Sequence, residues 1–288
     1  MDSFPIAPVL ISGVVLFVLL ALLAIATVVV KKKSQGSLVS LFVGMGIFAV
    51  CFVIAIATQI LFGLFITDAV VLTLVLSLRA GVVEEFGRYI AFRFFLKRRE
   101  CVGDALLYGL GHGGMEVLLI LGLAVVNTAT IWFMINTGMW NLLIEGLDAE
   151  SIALLESQLM SVQDQDAIMF VISGIERISA VILHVSLSVI VFCSVRQRKP
   201  LYLVLSIFLH FSLNASICIY IAGFVNVFVL EAIIATMSLM YAGIAFVFAR
   251  RYIKWYNQQP PRIQNYQAPI GAYPAAQIPP PSSTQDQS

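Results

Sequence analysis

Apolar residues run along this chain in long blocks, and short clusters of Lys and Arg punctuate them. The first block spans about residues 6–30 and closes on Lys31, Lys32 and Lys33. Further blocks cover about 38–64 and 69–96, the latter closing on Lys97, Arg98 and Arg99. A fourth starts near 102 and leaves the membrane between 124 and 138. Three more cover about 167–195, 200–223 and 226–249, with Arg196, Arg198 and Lys199 after the fifth and Arg250, Arg251 and Lys254 after the last. Each block is long enough to cross a bilayer as a helix, which takes roughly 20 apolar residues. The pattern predicts an all-α polytopic membrane protein with about seven transmembrane helices.

A signal peptide carries its charge before a shorter apolar core; here the charge follows the core. The positive-inside rule then predicts the N-terminus outside and the C-terminus in the cytoplasm. With that assignment every basic cluster is cytoplasmic, and no Lys or Arg falls in an expected external loop. Splitting the long fourth segment would send Arg196–Lys199 outside, so it is kept as one span.

The segment up to about residue 166 carries Asp148, Glu150, Glu156, Asp164 and Asp166. Ile152, Leu155, Leu159 and Val162 recur at helical spacing, and Asp148 suits an N-cap. A helix on the outer interface is expected, in preference to a lid over a cavity. After Tyr256 the chain turns rich in Pro, Gln, Ser and Ala, a composition that cannot bury a core. The expected organisation is a transmembrane domain over 1–256 and a disordered cytoplasmic tail over 257–288.

Composition agrees: 60% of residues are hydrophobic and 11% charged, where a soluble domain carries about 25% charged. The chain is expected in the cell membrane, with the lipid bilayer as its surroundings. A net charge of +1 offers no basic domain for nucleic acid. Cys51, Cys101, Cys193 and Cys218 show no metal-knuckle or disulfide spacing. Nothing in the pattern sets an oligomeric state.

Charge changes the picture inside the spans. The chain has three histidines, His112, His184 and His210, on three different apolar segments. Each lies about ten or eleven residues from the basic end of its segment, and the adjacent Glu84 and Glu85 lie about eleven or twelve from theirs. At 1.5 Å per residue, all five sit roughly 15–18 Å deep. A polar companion follows each at i+4: Glu116 after His112, Ser188 after His184, Asn214 after His210 and Arg88 after Glu84. Residues at that interval share a helix face, so four helices present polar stripes that must face the bundle interior. Farther out, Arg79 and the Glu176–Arg177 pair lie at matching depths, and an Arg79–Glu176 ion pair is expected as a structural clasp.

Two chemistries suit the layer. In one, His112, His184 and His210 bind Zn²⁺ with water in the fourth position, and Glu84 or Glu85 is the general base. In the other there is no metal: a buried glutamate takes a proton from water, histidine and asparagine donors hold the oxyanion, and Arg88 orients a carboxylate.

The motifs also resemble a family. Glu84-Glu85-Phe-Gly-Arg88 matches an E-E-x-x-R pattern. Tyr108-Gly-Leu-Gly-His112 matches an aromatic-x-x-x-His pattern and continues as Gly-His112-Gly-Gly-Met-Glu116. His210-Phe-Ser-Leu-Asn214 matches H-x-x-x-N. Over about residues 76–216 these resemble the type II CAAX prenyl protease superfamily, and within it the YhfC-type membrane peptidases, where the Gly-His-Gly-x-x-Glu segment and His184 belong; PrsW-type proteases are more distant. The resemblance implies peptide hydrolysis of a membrane-associated peptide or protein, with Glu84 and His112 handling the attacking water and His210 with Asn214 holding the oxyanion. The better-known CAAX proteases carry one more residue between the acid pair and the arginine, so reaction class carries over better than mechanism. A cavity toward the cytoplasm would suit a membrane-proximal bond or a lipidated C-terminus, as in those relatives. A non-catalytic scaffold or chaperone and a proton- or metal-coupled transporter are the competing readings. A retinal protein is excluded, because no Lys lies within a span.

Overall fold

The computed structural model describes residues 5–163 and 167–259. Among them every regular element is helical. In chain order these are α1 (Ala7–Lys33), α2 (Leu38–Gly63), α3 (Ala69–Ile90) with a π-helical turn over Ala91–Phe95, α4 (Val102–Asn136), α5 (Trp140–Ile144), α6 (Ala149–Gln163), α7 (Ala167–Gln197), α8 (Leu201–Ala215), α9 (Ile217–Ile221) and α10 (Val227–Asn257). Asp164 and Asp166, and the expected tail from residue 260 onward, lie outside the described residues.

Local chemistry explains the helix ends. Pro8 stands in the first turn of α1, where its missing N–H costs nothing. Asp68 Oδ1 accepts from the Val71 N–H at 2.8 Å and Asn226 Oδ1 from the Val229 N–H at 3.0 Å, each capping a helix start. Asp148 accepts from the Ser151 N–H at 2.7 Å, which makes it the N-cap of α6 as expected and holds its carboxyl below the usual carboxylate range. Of the expected apolar stripe on α6, Leu155 packs against Trp140 of α5, as do Ile131 and Ile135 of α4, so α6 folds back against α5. The Leu159 and Val162 side chains lie outside the described set.

Among the described residues, six helices are long and apolar enough to cross a membrane: α1, α2, α4, α7, the α8–α9 stretch and α10. The protein is therefore an integral membrane protein. The remaining expected span, α3, forms over its expected range, but its 22 residues include Arg79, Glu84, Glu85 and Arg88. The expected sixth span breaks at Ser216, between α8 and α9. α7 is the central helix: 72% of its apolar window is buried, against 6% for α1. α4 packs against α1, α2 and α7, while α3 packs on α8 and α2.

The four basic clusters gather at one end, here termed the basic end. Arg196 there donates to three backbone carbonyls, Phe92 at 3.1 Å, Leu96 at 2.6 Å and Arg99 at 2.7 Å. Arg196 thereby ties α7 to the π-turn and its exit, where helical carbonyl pairing is interrupted, although the Leu96 carbonyl also accepts from the Arg99 N–H at 2.9 Å. Tyr252 on α10 donates to the Glu100 carbonyl at 2.8 Å. Asp104 on α4 accepts from the Ser37 N–H at 2.9 Å and the Ser40 hydroxyl at 2.6 Å, tying α4 to the start of α2.

Candidate active site

The site forms where α3, α4, α7 and α8 meet. α4 is brought in by glycine. A methyl group on Gly111 would overlap the Leu41 carbonyl of α2, and one on Gly109 would come within 2.5 Å of Val185 Cα on α7. Only hydrogen fits at these two contacts, so two backbones close on α4 and leave His112, between them, fully buried. Phe48 of α2 meets the His112 ring edge-on, with centroids 5.0 Å apart, and Tyr108 stacks on it at 5.9 Å.

The polar residues that the patterns single out along these four helices converge, except Ser188 and Arg79. Glu84 Oε2 lies 3.2 Å from His112 Nε2, 4.0 Å from His184 Nδ1 and 3.9 Å from His210 Nε2. The His112 and His184 rings are 4.7 Å apart, and the His184 and His210 rings 5.5 Å. Glu84, His112 and His184 form the group whose ligand atoms all lie within 4.8 Å of one another. Two ligands on a tetrahedral ion with bonds of about 2.0–2.1 Å stand roughly 3.3–3.4 Å apart. The Glu84–His112 separation already matches that spacing, and the other two Glu84–histidine distances exceed it by little.

Glu85 faces the other way. It pairs with Arg88, accepts from the Ser206 hydroxyl at 2.5 Å and meets His210 Nδ1 at 2.9 Å. Glu85 and Arg88 are both fully buried. The Arg88-paired carboxylate accepts, so His210 Nδ1 carries a proton and Nε2 is the nitrogen that faces Glu84. His184 is set from both sides as well. Arg88 Nη2, which can only donate, lies 3.0 Å from Nδ1. The proton is thus on Nε2, which stands 2.6 Å from Glu116 Oε2 in an off-axis approach. Arg177 Nη1 donates to the other Glu116 oxygen at 2.6 Å and also pairs with Glu176.

Two expectations need correction. The Arg79–Glu176 clasp is not formed. Arg177, the neighbour of Glu176 on α7, already pairs with it, and Arg79 Nε has no hydrogen-bond partner among the described residues. Ser188 is not a companion of the His184 ring, because its hydroxyl donates to the His184 carbonyl at 2.6 Å, the usual retreat of a serine inside an apolar helix. Asn214 lines the cavity above Glu84 and makes no side-chain hydrogen bond among the described residues. The patterns missed Ser206, and they named Arg177 without its bond to Glu116. Ser206 stands at i−4 from His210, so the same-face rule reaches it when applied backwards. Arg177 had no such signal for its bond to Glu116, which joins α7 to α4.

The comparisons agree with this architecture. The model of the YhfC intramembrane metalloprotease family matches residues 16–235. The chain belongs to that family. It is also 37% identical over 166 residues to the "Uncharacterized membrane protein YhfC" of Bacillus subtilis (strain 168), a match covering 56% of this chain and 63% of the relative. The chain thus spans somewhat less than two thirds of that relative's length. No solved structure matches.

Proposed function

We propose that this chain is an intramembrane peptidase that hydrolyses a peptide bond at the Glu84 cluster with the help of a divalent metal, zinc being the ion these donors suit. The observation that carries the reading is one carboxylate oxygen facing three imidazole nitrogens at 3.2, 4.0 and 3.9 Å, the histidines standing on three membrane-crossing helices. The donors fit a metal in a second respect. The outer nitrogen of His184 is faced by Glu116, and a carboxylate behind the ring is the usual support of a metal-ligating histidine. The close grouping favours Glu84, His112 and His184 as the ligand trio, a two-histidine, one-carboxylate set known for catalytic zinc. When bound, the ion would lower the pKa of a water and polarise the scissile carbonyl. His210 Nε2 accepts a proton from the attacking water and returns it to the leaving amine. The Asn214 amide donates to the carbonyl oxygen as it gains charge. Glu85, Arg88 and Ser206 hold His210 in its tautomer.

One observation favours a metal-free version: Arg88 Nη2 lies on His184 Nδ1, the atom a metal would need. In that version Glu84 is the base and His210 with Asn214 serves the oxyanion. Elemental analysis of purified wild type, His112→Ala and His184→Ala decides between them. One metal per chain in the wild type, lost in both variants, supports the metal. Glu84-dependent peptide release without metal selects the metal-free version. Function that survives Glu84→Gln would point to a scaffold, and His210-dependent uptake into liposomes to a transporter.

A further inference from the structure

The surroundings of the site differ at its two ends. Toward the basic end lies a continuous aromatic and aliphatic plug. Tyr108 and Phe92 stand 4.8 Å apart, Phe92 and Phe192 5.6 Å, and Phe192 and Tyr252 5.0 Å. These four side chains, with Leu107, Leu187 and Ile190, are essentially inaccessible. Directly against the site on this side, Glu85 and Arg88 are 0% exposed.

Away from the basic end, the polar side chains are partly accessible. Glu84 is 13% exposed, Arg177 12% and Glu176 31%. A cavity of about 80 Å³ lies here, with Glu84, His184 and His210 at its floor. The rest of its lining lies outward, with Glu176, Arg177 and Ala180 on α7, Asn214 and Ile217 on the α8–α9 stretch and Ile234 on α10. Arg177 is seven residues farther from the basic end than His184, and Ile217 seven farther than His210, about 10 Å along a helix. Both walls therefore extend in the same direction. α10 packs mainly along α7 and only lightly on α8 and α9, and the α8–α9 stretch is broken at Ser216.

We propose that water and substrate reach Glu84 from the end opposite the basic clusters, through the cleft between α7, α8–α9 and α10. The inference rests on the peptidase reading for the identity of the occupant. Its substrate is a peptide segment whose scissile bond lies in the bilayer half remote from the basic clusters. This differs from the cytoplasmic access that would suit a lipidated C-terminus.

Thiol labelling in sealed vesicles tests the direction. The background carries Cys101→Ser and Cys218→Ala, leaving the buried Cys51 and Cys193. Into it go, one at a time, Ile217→Cys and Glu176→Cys at the mouth, and Gln258→Cys as reporter of the basic end. A membrane-impermeant maleimide is applied to vesicles of each sidedness. The expected result is severalfold faster labelling of both mouth positions from the face that does not label Gln258→Cys. Labelling from the same face as Gln258→Cys overturns the proposal, and so does protection of both mouth positions from either face. Retained melting behaviour in detergent shows that each variant is folded. The readout does not require hydrolysis, so a chain that labels as expected but cleaves nothing refutes only the peptidase reading.

Discussion

Glu84 and Glu85 are adjacent, yet the regions around them are built on opposite plans. About 100° of rotation separates neighbouring side chains on a helix, enough to point one carboxylate into a closed network and the other at an open cluster. Around Glu85, Arg88, Ser206 and His210 occupy the acceptor positions, and the group is sealed from solvent. Around Glu84, only His112 comes within hydrogen-bonding distance, two further imidazole nitrogens stand at 3.9–4.0 Å, and a cavity opens above. A satisfied buried network holds geometry; a partly satisfied one leaves room for a ligand. In this protein the first supports the second, since Glu85 sets the tautomer of the His210 ring that faces Glu84.

The largest expected effect falls on the open region. Glu84→Gln should cut peptide release by at least about 10²-fold while leaving thermal melting in detergent nearly unchanged; a parallel loss of stability would erase the contrast. In the closed region the order reverses. Arg88→Ala strands the buried Glu85 carboxylate and should destabilise by about 3–5 kcal/mol, read from unfolding in mixed micelles. Ser206→Ala removes one hydrogen bond to a charged acceptor and should cost about 1.5–3 kcal/mol in the same assay. Glu116→Gln weakens the support behind His184 and should lower metal affinity about 10–100-fold, measured by competition with a chelating dye. Ser188→Ala should be near-neutral for both stability and metal binding, because its hydroxyl serves only its own helix; a loss of metal would return Ser188 to the site.

Much of this was legible before any coordinates. His112, His184, His210, Glu84 and Glu85 form a layer because each could be placed by counting from a basic cluster. The i+4 rule pointed to Glu116 and Arg88, which contact His184, and to Asn214, which lines the cavity. It failed at Ser188, because sharing a face does not decide whether a hydroxyl turns to a neighbour or to its own backbone. Matching depth misled at Arg79 and Glu176, where Arg177 stood nearer on the same helix. The break at Ser216 had no Gly or Pro to announce it.

Hydrocarbon imposes a strict solvent rule, and that rule made the sequence informative by itself. Long apolar runs had to be helices, Lys and Arg had to mark their ends, and the few ionisable residues between had to face inward together. That reasoning reached the helical membrane class and the side chains that meet around Glu84. Tertiary structure decided what one dimension does not encode: the rotation of each helix about its axis and the rotamer of each ring. Those assign His210 Nδ1 to Glu85 and His184 Nε2 to Glu116 and turn the inner nitrogens toward Glu84. They also close the site at the basic end and open it at the other. Packing settles such choices because the glycine contacts of α4 and the ion pair of Arg88 admit few arrangements, and they form only when distant segments of the chain meet.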